Sequence, residues 1–221
     1  MVENVDELPD EQGVYQLLLG GNVVYVGKTD GQAGLRRRLG RHSWTIQHRC
    51  NLEIARVTYK AIRVYVFTAI DLETDLIKHY GHGEGLPWNN SGFGSNDPGR
   101  QRDTTELREG GFDALYPVDL DRPLQIELNF PMTAGRLFDQ LRDSVPYYVR
   151  AQKAAGSKRK LHADFESPVA GIAGESTARS IVRAIVSSLP EGWQATLLPG
   201  RIIIYRENRD YSAGAVIARS E

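Results

Sequence analysis

Residues 13–29 read Gly13-Val14-Tyr15-Gln16-Leu17-Leu18-Leu19-Gly20-Gly21-Asn22-Val23-Val24-Tyr25-Val26-Gly27-Lys28-Thr29. Two runs rich in branched, apolar and aromatic side chains flank a Gly20-Gly21-Asn22 turn, the pattern of a β-hairpin. Side chains alternate along a strand, so Tyr15 and Tyr25 can project from the two strands onto one face, where both hydroxyls can converge.

The flanking sequence extends this hairpin into a domain. After the Lys28-Thr29-Asp30-Gly31 loop, Leu35, Leu39 and Ile46 recur with polar residues between them, which predicts an amphipathic helix over about 34–49. Arg38 and His42 lie four residues apart on it, and Arg41 adds a neighbouring cation on the same side. Residues 53–68, through Val57, Tyr59, Ile62-Arg63-Val64-Tyr65-Val66-Phe67, predict one long or two short strands. A second helix is expected over 70–80, where Ile70, Glu73, Leu76, Ile77 and Tyr80 recur at spacings of three and four and set Glu73 beside the apolar stripe. Gly81-His82-Gly83-Glu84-Gly85 ends it, and Pro87-Trp88-Asn89-Asn90 opens a glycine-rich loop running to Gly99.

Each of these residues is common alone. A tyrosine in a strand is usually a core aromatic, a helical glutamate usually surface, and a lone histidine usually structural. The ordered set of Gly13-Val14-Tyr15, Tyr25-Val26-Gly27, Arg38, His42, Glu73 and Pro87-Trp88-Asn89 resembles the GIY-YIG nuclease superfamily over roughly the first half of the chain. Both name-giving tripeptides carry valine for isoleucine, a change that keeps a β-branched strand residue and alters no chemical group. The resemblance implies a mixed α/β (α+β) fold. Its catalytic domain, 1–121, would carry a small central antiparallel sheet flanked by helices, ahead of a small C-terminal α/β domain, 122–221.

The resemblance also assigns roles. Glu73 would ligate one Mg²⁺ per site, with Mn²⁺ able to substitute; Tyr15 would orient or deprotonate the attacking water. A phenol with an ordinary pKa near 10 needs a cationic or metal-rich setting for that task, which Arg38 could supply while its planar fork grips the phosphate. His42 would relay a proton or bond the phosphate, and Tyr25 and Lys28 would position phosphate or water. Asn89 matches the closing amide of the motif, with Asn90 the alternative if the loop aligns one residue later.

For the second half, a strand at Leu124-Gln125-Ile126-Glu127-Leu128, helices over 133–152 and 176–189, and a hairpin from Ala195 to Tyr205 around Pro199-Gly200 are expected. The whole chain has 221 residues, 41% hydrophobic and 25% charged, ordinary globular values sufficient for a buried core. Its one cysteine, Cys50, excludes an internal disulfide framework and a cysteine-rich zinc site. Without a membrane-length apolar run, and with an acidic N-terminus unlike a signal peptide, a cytoplasmic protein with no membrane partner is expected. Gly27-Lys28-Thr29 lacks the glycine spacing of a phosphate loop, so no nucleotide cofactor is expected. His79, His82 and Glu84 sit among glycines that suit a turn better than a metal site.

A net charge of −1 gives no global attraction to DNA, so phosphate contacts must be local. One basic cluster is Arg36, Arg37, Arg38, Arg41, His42, His48 and Arg49; another is Lys153 with Lys158-Arg159-Lys160; Arg100 and Arg102 are further substrate-binding candidates beside Arg37 and Arg41. Gly92-Phe93-Gly94 is similar to a segment of some GIY-YIG restriction endonucleases, which points to a site-specific restriction enzyme acting as a homodimer on DNA. A repair or mobile-element nuclease and a catalytically idle DNA-binding module are the alternatives.

Overall fold

The structure is a computed structural model that describes residues 4–29, 33–65, 69–81, 85–94 and 97–221. The expected strand residues Val66 and Phe67, and His82 and Glu84 of the histidine group, lie outside them. The fold is mixed α/β, and the chain divides into two compact units: residues 1–96 with 108–117, and residues 97–107 with 118–221.

In the first unit, strands β1 (Gly13–Leu19) and β2 (Asn22–Lys28) form the hairpin, and β3 (Val57–Arg63) adds on the other side of β1, giving an antiparallel order β2-β1-β3. Tyr15 pairs with Gly27 and Leu17 with Tyr25, so both tyrosines leave the sheet on one face; a register irregularity follows between Leu17 and Leu18. The central strand β1 is buried almost throughout, which explains an apolar run interrupted only by Gln16 in place of an apolar-polar alternation. Helix α1 (Leu35–Gln47) turns Leu35, Leu39, His42, Ser43 and Ile46 inward, a stripe that carries His42 into the core. Helix α2 (Ala69–Tyr80) packs against β1 and β2, and the short α3 (Phe112–Leu115) brings Phe112 into the same core. β3 is shorter than the sequence suggests; Ile62 and Tyr65 are exposed where the apolar pattern continues.

The second unit holds a short β4 (Met132–Thr133), helix α4 (Ala134–Asp143), β5 (Tyr148–Ala151), a short β6 (Pro168–Val169), helix α5 (Ala178–Ser188), and strands β7 (Trp193–Leu198), β8 (Arg201–Arg206) and β9 (Ala215–Arg219). Its four-stranded sheet runs β5-β8-β7-β9, with β5 parallel to β8 and the other pairs antiparallel. Both helices bury apolar stripes, including Leu137, Phe138, Ile181 and Ile185, in one core with Trp193, Ile202 and Ile204. Thr177 caps α5 through a reciprocal pair with Ser180.

Two expectations for this half fail for identifiable reasons. The helix predicted over 133–152 ends at Asp143, because Pro146 disfavours helical backbone at Val145 and lacks an N–H, and the chain re-emerges as β5. Residues 124–128 form no strand. Leu124 is buried, Ile126 and Leu128 pack on the core, and the backbone contact is a single bridge from Pro123 to Thr177. Alternating burial there arises from one-sided packing without a ladder. Among the described residues no helix is long and apolar enough to cross a membrane.

Candidate active site

The hairpin face that carries both tyrosines meets the inner stripe of α1. The Tyr15 hydroxyl lies 2.8 Å from Nε2 of His42, and Arg38 donates to the same oxygen from Nε at 3.2 Å. The ring centroids of Tyr15 and Tyr25 are 6.1 Å apart, and each lies within 5.6 Å of the His42 ring. Phe93 stacks on His42 at 4.7 Å and meets Tyr25 edge-on at 5.1 Å, closing the aromatic side of the cluster.

Two glycines make this convergence possible. A Cβ on Gly27 would stand 2.6 Å from the Tyr15 hydroxyl and 2.7 Å from Cε1 of Tyr25, so only hydrogen fits between the phenols. Gly94, with φ of +69°, brings backbone to where a Cβ would lie 3.3 Å from His42 Cε1 and 3.4 Å from the Tyr25 hydroxyl. No local pattern in the sequence signals this packing role for either glycine.

Burial dominates the electrostatics. It drives the Tyr15 phenol far above its ordinary value, with Tyr25 adding to the rise and Arg38 only partly opposing it. Arg38 acts in the direction expected of it, lowering the Tyr15 pKa, and desolvation outweighs the guanidinium. His42 is 2% exposed, and burial, aided by Arg38 and Arg41, lowers its pKa to about 3. Both groups are neutral at physiological pH. Tyr15, having accepted from Arg38, has its own proton to donate, and neutral His42 Nε2 is placed to take it.

Asn89 works on the backbone. Its Oδ1 accepts from Val26 N and its Nδ2 donates to Val26 O, both at 3.0 Å, while Trp88 N donates to Val24 O. β2 is an edge strand, and these bonds satisfy outward-facing groups that would otherwise go unpaired. Asn89 thus fixes the Tyr25-Val26-Gly27 backbone. Asn90 is exposed, with φ of +57°.

Lys28 alternates to the face opposite Tyr25 and pairs with Glu73 of α2, Nζ to Oε2, at 3.0 Å. The structure thus joins Tyr15, Tyr25, Arg38 and His42 in one cluster and Lys28 with Glu73 in a second. Among the described residues no group of three or more His, Cys, Asp and Glu side chains is placed to hold a metal ion. Glu73 is the carboxylate that would offer a hard oxygen to a Mg²⁺ ion, a cation that commonly keeps several of its waters.

The basic cluster on α1 separates into two groups. Arg37 and Arg41 are exposed one turn apart, and Arg36 bonds Leu8 O at 2.7 Å. His48 and Arg49 are buried; Arg49 binds Asp113 at 2.7 Å and Tyr116 O at 3.1 Å, tying residues 108–117 to this unit. In the second unit Arg100 lies over the Tyr205 ring at 4.3 Å, and Arg102, exposed, offers its carbonyl to Arg201. No protein-family model matches the sequence, and no characterised protein matches it significantly.

Proposed function

We propose that the chain is a Mg²⁺-dependent DNA endonuclease of the GIY-YIG type. The observation that carries this reading is the Tyr15 hydroxyl held between Arg38 and a buried, neutral His42 on the hairpin face. A phenol packed only for stability has no use for a guanidinium and an imidazole on its single oxygen, with a glycine opposite to keep the space clear.

In this reading Arg38 binds a non-bridging oxygen of the scissile phosphate, which brings an anion beside His42 and favours its imidazolium form. Tyr15 can then pass its proton to Nε2 and accept one from the attacking water. The water oxygen bonds to phosphorus as the P–O3′ bond breaks, the leaving 3′-oxygen takes a proton from solvent, His42 releases its proton to solvent, and the products are a 5′-phosphate and a 3′-hydroxyl. Tyr25 and Asn89 hold the geometry, Lys28 positions phosphate or water, and exposed Arg37 and Arg41 extend the contact along the strand. Mg²⁺ held through Glu73 supplies charge compensation when bound.

The glycine-rich Gly92-Phe93-Gly94 turn, packed on His42 and Tyr25, supports the restriction-type reading within the superfamily, with a cytoplasmic homodimer cutting both strands. The test is digestion of plasmid and phage DNA in Mg²⁺, beside Glu73→Ala and an EDTA control. Discrete fragments lost in both controls are expected. A smear, nicks alone or cutting confined to branched DNA would favour a repair or mobile-element nuclease, and binding without cleavage in any divalent metal would leave an idle binding module.

A further inference from the structure

The second unit carries a concentration of positive charge that the proposed active site does not use. Between Asp143 and Asp164 the sequence holds Arg150, Lys153, Lys158, Arg159 and Lys160 and no carboxylate, in a chain whose net charge is −1. Arg150 is neutralised by Asp97 at 2.6 Å and Asp103 at 2.8 Å. The other four lie within eight residues on one loop, and none of them enters an ion pair among the described residues.

This loop is built rather than slack. It leaves the end of β5, where Gln152 N donates to Ile204 O of β8, and returns at His162, whose N donates to Gln152 O. A bridge between Lys153 and Leu161 pins the stem, and Ala154 N donates to Lys160 O at 2.9 Å. At the tip, Ser157 Oγ accepts from Arg159 N at 3.2 Å and Lys160 N at 2.8 Å. These bonds fold the backbone inward while Lys158, Arg159 and Lys160 remain exposed. Asp164, the first carboxylate after the loop, is engaged by the Trp193 indole at 2.8 Å and faces Arg206, so it does not neutralise the tip.

We propose that the Lys153–Leu161 loop is a DNA-backbone contact of the second unit. The proposal rests on the nuclease reading above and adds a phosphate-binding surface remote in sequence from its tyrosine motif. An ordered tip holding several cations that lack internal counter-charges suits a row of phosphates, and duplex DNA is the polyanion that reading supplies. Bases need not be read for such a contact to hold the duplex.

The test measures binding of the full chain to a fluorescently labelled DNA duplex in EDTA, across a range of salt concentrations. Each phosphate contact contributes about −0.9 to the slope of log affinity against log salt. The triple variant Lys158→Gln, Arg159→Gln, Lys160→Gln should therefore flatten the slope by about 2 to 3, while Lys158→Arg with Lys160→Arg should leave it unchanged. An unaltered thermal melt checks that the exposed substitutions leave the fold intact. If the wild-type protein cleaves DNA in Mg²⁺ yet the triple variant keeps the wild-type slope, the loop is not a contact and the proposal alone fails. If the loop instead governs binding to phosphatidylserine vesicles with no effect on duplex binding, the proposal is also overturned. A wild-type chain that neither cleaves nor binds duplex at any salt overturns the nuclease reading itself.

Discussion

Replacing Gly27 with alanine tests whether the two tyrosines are held by space alone. Gly27 is absent from the positive-φ residues, so alanine meets no backbone penalty there, and its effect comes from the added methyl. That methyl would lie 2.6 Å from the Tyr15 hydroxyl, 2.7 Å from Tyr25 Cε1 and 2.8 Å from Tyr15 Cζ, against ordinary contact beyond about 3.4 Å. Tyr15 is 1% exposed and bonded to His42 and Arg38, so it cannot yield without breaking those bonds. Overpacking a core site costs about 1–3 kcal/mol and each lost hydrogen bond about 1 kcal/mol, so a loss of about 2–4 kcal/mol is expected in the first unit. Gly40→Ala is the control: in the interior of α1 its methyl would meet, among the described residues, only Val5 Cγ1, at 3.8 Å, and alanine should stabilise the helix by about 0.5–1 kcal/mol. Because a chain of two units need not unfold in one step, the assay is amide exchange read separately on β1 with β2 and on β7 with β8. A Gly27→Ala protein within about 1 kcal/mol of wild type on β1 and β2 would refute the steric argument.

In the second unit, Asp103→Ala should cost about 3–5 kcal/mol. The Asp103 side chain is 2% exposed and receives Arg201 at 2.9 Å, Arg150 at 2.8 Å and the Tyr205 hydroxyl at 3.2 Å, so its removal leaves the buried Arg201 guanidinium without its carboxylate and Arg150 with Asp97 alone. Protection of β7 and β8 is the readout, and a loss below 1 kcal/mol would show that water or a rearranged Asp97 replaces it. His42 predicts a pH dependence of the first unit. Its folded pKa of about 3 lies below the ordinary 6.5, so the unfolded chain binds the extra proton between these values. The stabilisation is complete above pH 6.5 and falls on acidification by up to about 1.4 kcal/mol per unit. The difference between wild type and His42→Asn, followed on β1 and β2 from pH 7 to 4.5, should shrink accordingly, and a difference independent of pH would exclude buried neutral His42 as its origin.

The hairpin, α1 and α2 are legible in the sequence because their signals are local: β-prone runs flanking the Gly20-Gly21-Asn22 turn, and apolar residues every three or four positions over 35–47. The turn sets Leu19 against Asn22 and Leu18 against Val23, and the irregularity between Leu17 and Leu18 then shifts the register by one residue, which local pattern does not reveal and which brings Tyr15 and Tyr25 onto one face. What local pattern cannot carry is the balance of long-range terms. Arg38 beside a phenol suggests an activated base, yet burial of Tyr15 in the core decides the sign of the shift. Residues 97–107 follow the glycine-rich loop in sequence but belong with the second unit, because Asp103 finds its cations on β5 and β8, at Arg150 and Arg201. Spacing along the chain holds no trace of that pairing.

The residues of the tyrosine constellation divide by physical task. Gly27 and Gly94 supply room, and Asn89 closes the edge of β2; none of the three needs to touch a substrate to be indispensable to the geometry. Arg38, His42 and Glu73 bring the ionisable groups, and all three come from helices laid against the sheet, where a shift of one turn would remove them from Tyr15 and Lys28. Alternation along β2 puts Tyr25 and Gly27 on the face of α1 and Lys28 on the other, toward Glu73. Asn89 and Trp88 cover the edge of β2 through Val26, which leaves the strand end at Gly27 and Lys28 beyond that cover. The bonds between Thr29 and Gly13, from Thr29 N to Gly13 O at 2.9 Å and from Gly13 N to Thr29 Oγ1 at 2.8 Å, hold that strand end fixed. They give the residues just after Tyr25-Val26-Gly27 a purpose in placing charge as well as in closing a sheet.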